Sequence, residues 1–205
     1  MKKKMETDVV FLLDRSGSMG GIENDTIGGY NSYLDSQRKN PVKVTTVLFD
    51  DKYEMLYDRV DIKNVNKMTN KEYYVRGCTA LLDAIGKTIG YMDSVNPKKV
   101  IFVITTDGYE NASKEYSKDK IRKMIESHKN WEFLYLGADI DSYEEGASIG
   151  IRKSNISNYV KTKKGASKMF GAVGRASSMV YEEEELTSDW KQDLENYISN
   201  NKENN

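Results

Sequence analysis

Short, unbroken runs of apolar residues alternate along the chain with longer segments in which apolar residues recur every three or four positions. Unbroken runs such as Val9–Leu13 and Val100–Ile104 are typical of strands buried on both faces of a sheet. The pattern predicts strands over residues 9–13, 42–49, 53–60, 100–104, 133–136 and 156–160. The helical spacing predicts helices over residues 22–40, 79–95, 117–129, 142–149 and 164–179.

Strands that alternate with helices imply right-handed crossovers and a parallel sheet covered by helices. The polar link from Phe49 to Tyr53 is short enough for a hairpin, so the third strand is expected to be antiparallel and at an edge. The predicted fold class is therefore α/β: a doubly wound, Rossmann-like, mostly parallel sheet of six strands with helices on both faces. Residues 5–180 form the predicted domain, and residues 181–205, which include the acidic run Glu182–Glu185, form a polar extension that is partly helical or frayed.

Composition narrows the classes of partner. The chain of 205 residues carries 31 basic and 32 acidic side chains, a formal net charge of −1, which gives no electrostatic reason to expect nucleic acid. No segment approaches the roughly 20 apolar residues of a membrane-spanning helix. The single cysteine, Cys78, rules out an internal disulfide, and the apolar run after the basic Met1–Lys4 is too short for a signal peptide. We expect a cytoplasmic protein.

Three clusters of small, oxygen-bearing residues fall at the carboxyl ends of predicted strands or at the helix starts that face them. They are residues 14–19, residues 77–80 and residues 105–111. Ligands of open parallel sheets lie in the crevice beyond the carboxyl ends of the strands. The first and fourth strands are neighbours in the common 3-2-1-4-5-6 strand order, so these loops are expected to converge.

The clusters offer an all-oxygen set of side chains: two serine hydroxyls, one threonine hydroxyl and two carboxylates, from Asp14, Ser16, Ser18, Thr79 and Asp107. Mg²⁺ takes six oxygen ligands and keeps some of its waters, which suits such a set. No imidazole lies in the clusters, and their one thiol, Cys78, is next to the better-placed Thr79. The sequence predicts a divalent-metal site, with Mg²⁺ as the first choice and Mn²⁺ or Ca²⁺ as alternatives.

The segment Asp14–Met19 resembles the DxSxS loop of von Willebrand factor A domains, which forms their metal-ion-dependent adhesion site. Residues 77–81 resemble the family's G-x-T segment and residues 105–108 its T-D-G segment, in the family's order, so that the resemblance covers roughly residues 7–179. It implies that Ser16, Ser18 and Thr79 bind the metal directly, and that Asp14 and Asp107 bind it directly or through water. It also implies that an Asp or Glu of a partner protein completes the coordination. Within the family the chain looks like small, stand-alone bacterial or phage members.

Three functions are compatible with this pattern: a non-enzymatic, metal-dependent protein-binding module, an Mg²⁺-dependent phosphoryl-transfer or hydrolytic enzyme, and a structural domain with a vestigial site. The binding module is favoured because the complete ligand set explains the serines, and the only histidine, His128, is expected to be an exposed surface residue. Thr79 is also a plausible helix N-cap. Five tyrosines are expected either to rim the crevice or to lie in strands and core: Tyr53, Tyr57, Tyr73, Tyr74 and Tyr109.

Overall fold

A computed structural model describes residues 5–182 and 185–202 of the chain. Its centre is a six-stranded sheet with the strand order β3-β2-β1-β4-β5-β6. The strands are β1 (Thr7–Asp14), β2 (Val42–Phe49), β3 (Tyr53–Asp61), β4 (Val100–Thr106), β5 (Trp131–Gly137) and β6 (Ile156–Asn158). Glu183 and Glu184 of the acidic run lie outside the described residues.

Six α-helices accompany the strands in the described part of the chain. They are α1 (Glu23–Gln37), α2 (Leu81–Val95), α3 (Lys118–Ser127), α4 (Ser142–Ser148), α5 (Lys163–Tyr181) and α6 (Gln192–Lys202). Each of the five helices expected from the apolar spacing is present. Among the described residues, no helix has both the length and the apolar character needed to cross a bilayer.

Strand direction follows the connections between strands. β1 pairs in parallel with β2 and β4, and β4, β5 and β6 continue in parallel, whereas β2 and β3 form an antiparallel hairpin that leaves β3 at the edge. Parallel neighbours need a long crossover, which the helices supply, while residues 50–52 suffice for the hairpin. The predicted α/β fold with one antiparallel edge strand is confirmed.

The central strand β1 is buried along its whole length because helices cover both faces of the sheet. Successive side chains of a strand point to opposite faces. Accordingly Val9 and Phe11 pack with residues of α1 and α5, whereas Val10 and Leu12 pack with residues of α2 and α3. β1 therefore has no solvent-facing side, and it ends at Asp14.

The sequence predicts that residues 181–205 form a partly helical or frayed extension, and residues 188–194 of it pack against the body of the protein. A short 3₁₀ turn (Ser188–Lys191) leads into α6, and both Trp190 and Leu194 are buried in the same core as α1 and α5. The Trp190 indole donates a hydrogen bond to the carbonyl of Ser154 at 2.9 Å. The Lys191 ammonium donates one to the carbonyl of Ile156 at 2.5 Å, which ties this segment to β6.

Candidate metal centre

The adjacent strands β1 and β4 bring the first and third clusters together. β1 ends at Asp14, and Thr106 ends β4 one residue before Asp107. Because the two strands are parallel and paired in register, their carboxyl ends lie at the same edge of the sheet. A short 3₁₀ turn (Gly17–Met19) then keeps the first cluster above that edge.

Asp14 is fully buried, and both of its carboxylate oxygens accept hydrogen bonds. Oδ1 accepts from the backbone N–H of Ser16 at 2.7 Å, and Oδ2 accepts from the hydroxyl of Thr106 at 2.6 Å. Burial raises the pKa of Asp14 to about 6, although these hydrogen bonds act in the opposite direction, and the nearby charge of Asp107 adds to the rise. A buried carboxylate whose pKa is raised in this way gains from a nearby cation.

The two serines and Asp107 form a continuous chain of oxygens. The hydroxyls of Ser16 and Ser18 are 3.1 Å apart, and the Ser18 hydroxyl donates to Oδ1 of Asp107 at 2.5 Å. The side chains of Ser16 and Asp107 are buried, while Ser18 is exposed. The crevice is therefore open on the side of Ser18.

Thr79 joins the same crevice from the second cluster. A methyl group placed on Gly108 would lie 2.9 Å from the Thr79 hydroxyl oxygen and 3.2 Å from that of Ser18, so both hydroxyls converge on the Gly108 backbone. The prediction that Thr79 opens and caps α2 is wrong, because the helix begins at Leu81 and the Thr79 N–H donates to the side chain of Asn111 at 2.9 Å. The Thr79 hydroxyl is therefore not used for capping.

Backbone hydrogen bonds hold the first and second clusters against each other. The Gly17 N–H donates to the carbonyl of Gly77 at 3.2 Å, and the Arg76 N–H donates to that of Arg15 at 2.8 Å. Gly77 has a positive φ of 67°, a conformation that favours glycine. The buried hydroxyl of Tyr73 donates to the Asp14 carbonyl at 2.5 Å. These contacts fix the position of the loop of residues 14–19.

Arg15 anchors the same loop through an ion-pair network that the sequence did not reveal. Its guanidinium is fully buried and pairs with Asp50 at 3.1 Å and with Glu54 at 2.6 Å, and Arg76 pairs with Asp50 at 2.6 Å. Burial alone would raise the pKa of Asp50, but the hydrogen bond from Arg76 and the charge of Arg15 lower it below its usual value. Asp50 therefore stays ionised and holds Arg15 in place.

Among the described residues, Lys161 is the one cationic side chain that contacts the candidate site. It follows β6, and its ammonium lies 2.7 Å from Oδ2 of Asp107 and 3.3 Å from Asp139, and donates to the carbonyl of Ser18 at 2.9 Å. Burial lowers the pKa of Lys161, but the contacts with Asp107 and Asp139 outweigh it, so the pKa is raised. The sequence signal was only its position at the carboxyl end of the last strand.

The donor set suits a hard divalent cation. Three hydroxyls and two carboxylates meet in one crevice, and the buried Oδ2 of Asp107 already contacts a cation, the Lys161 ammonium. Among the described residues no group of three or more His, Cys, Asp or Glu side chains could hold a metal, and the two carboxylates of this crevice are accompanied by hydroxyls. Mg²⁺ and Mn²⁺ accept such oxygens, whereas zinc prefers nitrogen and sulfur.

The other residues named from the sequence have varied places. Of the five tyrosines, Tyr74 and Tyr109 are exposed, while Tyr53 and Tyr57, on the edge strand, hydrogen-bond to Thr88 and Asn66 respectively. Tyr109 lines an open groove of about 530 Å³ together with Asp139. The thiol-bearing Cys78 is exposed.

His128 also differs from expectation. Its ring packs on Trp131 with the ring centroids 4.0 Å apart, and it contacts Asp93 at 2.6 Å. The ring is therefore largely covered rather than exposed. Trp131 begins β5, so His128 lies at the amino end of a strand, at the opposite edge of the sheet from the crevice.

Comparisons with solved structures show which fold this is. The proximal thread matrix protein 1 from the mussel byssus, solved with a zinc-occupied MIDAS motif, has a TM-score of 0.61 at 15% identity over 83% of this chain and 45% of its own. A von Willebrand factor type A protein from Catenulispora acidiphila has a TM-score of 0.62 at 14% identity over 85% of this chain and 43% of its own. Manganese-loaded TRAP protein from Plasmodium vivax has a TM-score of 0.60 at 18% identity over 79% and 71%.

These comparisons establish the fold. The chain has the von Willebrand factor A fold, and it spans less than half the length of the first two of those proteins. No protein-family model and no curated protein sequence matches the chain. The likeness rests on the fold rather than on sequence identity.

Proposed function

We propose that the chain is a non-enzymatic, metal-dependent protein-binding module of the von Willebrand factor A type. Asp14, Ser16, Ser18, Thr79 and Asp107 hold one divalent ion, with Mg²⁺ as the natural choice. The observation that carries the proposal is the convergence of three hydroxyls and two carboxylates on one crevice at the carboxyl ends of β1 and β4. The zinc and manganese of the mussel and Plasmodium proteins support a divalent ion in this fold.

The charge of the donor set indicates the kind of partner. The two carboxylates carry a formal charge of −2, equal and opposite to that of a divalent ion. However, Lys161 already neutralises part of the charge of Asp107. A bound ion therefore keeps positive potential toward the open side near Ser18, which suits an Asp or Glu carboxylate from another protein. When bound, the metal supplies an electrophilic position for that carboxylate. The residues of the chain orient it: Asp14 is fixed by Ser16 and Thr106, and Ser18 is fixed by Asp107.

The alternative of an Mg²⁺-dependent enzyme has less support from the geometry. A hydrolytic serine needs a base within hydrogen-bond reach. The Ser18 hydroxyl donates to Asp107, but that carboxylate is also paired with Lys161, and the chain's only histidine lies at the opposite edge of the sheet. Ser16 and Ser18 are better explained as ligands than as nucleophiles.

The metal site is tested by titrating Mn²⁺ or Mg²⁺ into the protein in a calorimeter. We expect one site in the wild type, and at least about tenfold weaker binding in T79A, because one direct oxygen ligand is lost without a change in the core. T88A is the matched control. Thr88 is equally buried but donates to the carbonyl of Ala84 within α2, so its removal leaves the metal affinity unchanged. Equal affinity in the wild type and T79A would contradict the assignment.

Partner recognition is tested by affinity capture from a lysate with Mg²⁺ or with EDTA. A partner that binds through the metal is retained by the wild type and T88A in Mg²⁺, and is lost in EDTA and with T79A. Changing the partner's contacting Asp or Glu to its amide removes the same interaction. Retention in EDTA would mean that recognition uses another surface.

A further inference from the structure

Lys161 occupies a position that a metal ion would also favour. Its ammonium contacts oxygens from three separate loops: a carboxylate oxygen of Asp107, the backbone carbonyl of Ser18 and a carboxylate oxygen of Asp139. Two of these contacts are to residues of the candidate site. An ammonium and a divalent ion both bind such oxygens, and the Lys161 ammonium is already in contact with them.

We propose that Lys161 is a built-in competitor of the metal, which lowers the affinity of the site and couples metal binding to the loop between β6 and α5. This inference rests on the proposed metal site. Asp107 has one oxygen on the Ser18 hydroxyl and the other on the Lys161 ammonium. A metal ion bound to Asp107 must either share that carboxylate with the Lys161 ammonium or displace the ammonium from it. Both weaken metal binding.

Asp139 gives the displaced ammonium a second anion. It is 3.3 Å from the Lys161 ammonium, and its side chain is 68% exposed, so it can follow the lysine without leaving a buried charge unpaired. The Lys161 side chain is itself only partly covered, with 24% exposed. Because both side chains are partly exposed, a shift of the ammonium from Asp107 toward Asp139 needs only changes of side-chain rotamer.

The inference predicts that removing the charge strengthens metal binding. K161M keeps the length of the side chain and removes the ammonium, so Mn²⁺ affinity should rise on the order of tenfold. K161R, which keeps the charge, should leave the affinity low. K43M is the matched control: Lys43 pairs with Glu6 at 3.2 Å near the amino end of β2, at the opposite edge of the sheet, and its loss should not change Mn²⁺ affinity.

A double-mutant cycle tests the role of Asp139. In the wild-type background D139N should weaken Mn²⁺ binding, because the displaced ammonium loses its second anion. In the K161M background the same change should have a smaller effect, since no ammonium remains to be displaced. Equal effects in both backgrounds would show that Asp139 acts on the metal alone and not through Lys161.

Thermal unfolding separates this role from a merely structural one. K161M leaves Asp107 without its cation, so Tm should fall in EDTA and recover in saturating Mn²⁺. A fall of equal size in both conditions would overturn the inference. Mn²⁺ affinity that is measurable but identical in the wild type and K161M would also overturn it, while leaving the metal site intact. Failure of both proteins to bind Mn²⁺ would overturn the metal site and this inference together.

Discussion

Gly108 shows how a single absent side chain makes room for a site. The hydroxyls of Ser18 and Thr79 both lie against its backbone, and a methyl group there would be 2.9 Å from the Thr79 oxygen. That distance is shorter than the van der Waals contact between a carbon and an oxygen, so one of the two hydroxyls would have to move. Gly108 therefore keeps the two hydroxyls close together, although it contributes no ligand.

The substitution G108A is expected to weaken Mg²⁺ or Mn²⁺ binding by about tenfold, because displacing one hydroxyl removes one ligand bond. Fold stability should change little, since Gly108 lies in a loop and its φ is not positive. Calorimetric titration with Mn²⁺ measures the first effect and urea unfolding the second. G28A is a suitable control, because a methyl group at Gly28 on α1 meets no atom within 4 Å. Unchanged affinity in G108A would mean that neither hydroxyl is a ligand.

The residues of the site differ in how visible they are in the sequence. Asp14, Ser16, Ser18, Thr79 and Asp107 stand in short motifs at strand ends or just before a helix, and the structure brings all five to one crevice. Lys161 and the buried Arg15 network could not be foreseen in the same way. The partners of Lys161 are at least 22 residues away along the chain and those of Arg15 at least 35, and a lysine or arginine in a loop carries no pattern of its own.

At the scale of elements, apolar runs located every strand but not all of their ends. β1 was predicted over residues 9–13 and extends over Thr7–Asp14, because Thr7 and Asp8 are polar yet buried by neighbouring strands. β6 has only three residues, too few for a periodic signal. The helix α6 was not placed, since its sequence is polar and its position depends on contacts of Trp190 and Leu194 with distant elements.

The burial of Leu194 predicts that α6 is part of the fold. L194A should lower the free energy of unfolding by about 2–5 kcal/mol, the usual cost of truncating a fully buried leucine. N196A on the exposed side of the same helix is the control, and is expected to stay within about 0.5 kcal/mol of the wild type. Chemical denaturation followed by circular dichroism measures both. A cost below about 1 kcal/mol for L194A would show that α6 is only loosely attached.

At the scale of the whole molecule, the core and the site use different parts of the fold. The two hydrophobic clusters on either side of the sheet are built from strands and helices, and they contain none of the five proposed ligands. The proposed ligands lie at or just after the carboxyl ends of β1 and β4 and just before α2, in segments that backbone hydrogen bonds and the Arg15 network already fix. The core therefore does not depend on a metal for its packing, unlike small zinc domains.

Removal of the metal should consequently leave the protein folded. We expect the far-ultraviolet circular dichroism at 25 °C to be the same in EDTA and in Mg²⁺, with Tm lower in EDTA only by the amount that ligand binding to the native state explains. At a free Mg²⁺ concentration 100 times Kd that amount is about 2.7 kcal/mol, which for a domain of this size corresponds to roughly 5–10 °C. Tm should rise with the logarithm of the Mg²⁺ concentration in the wild type and much less in T79A, because T79A binds the ion weakly. Loss of secondary structure in EDTA would instead identify the metal as part of the core.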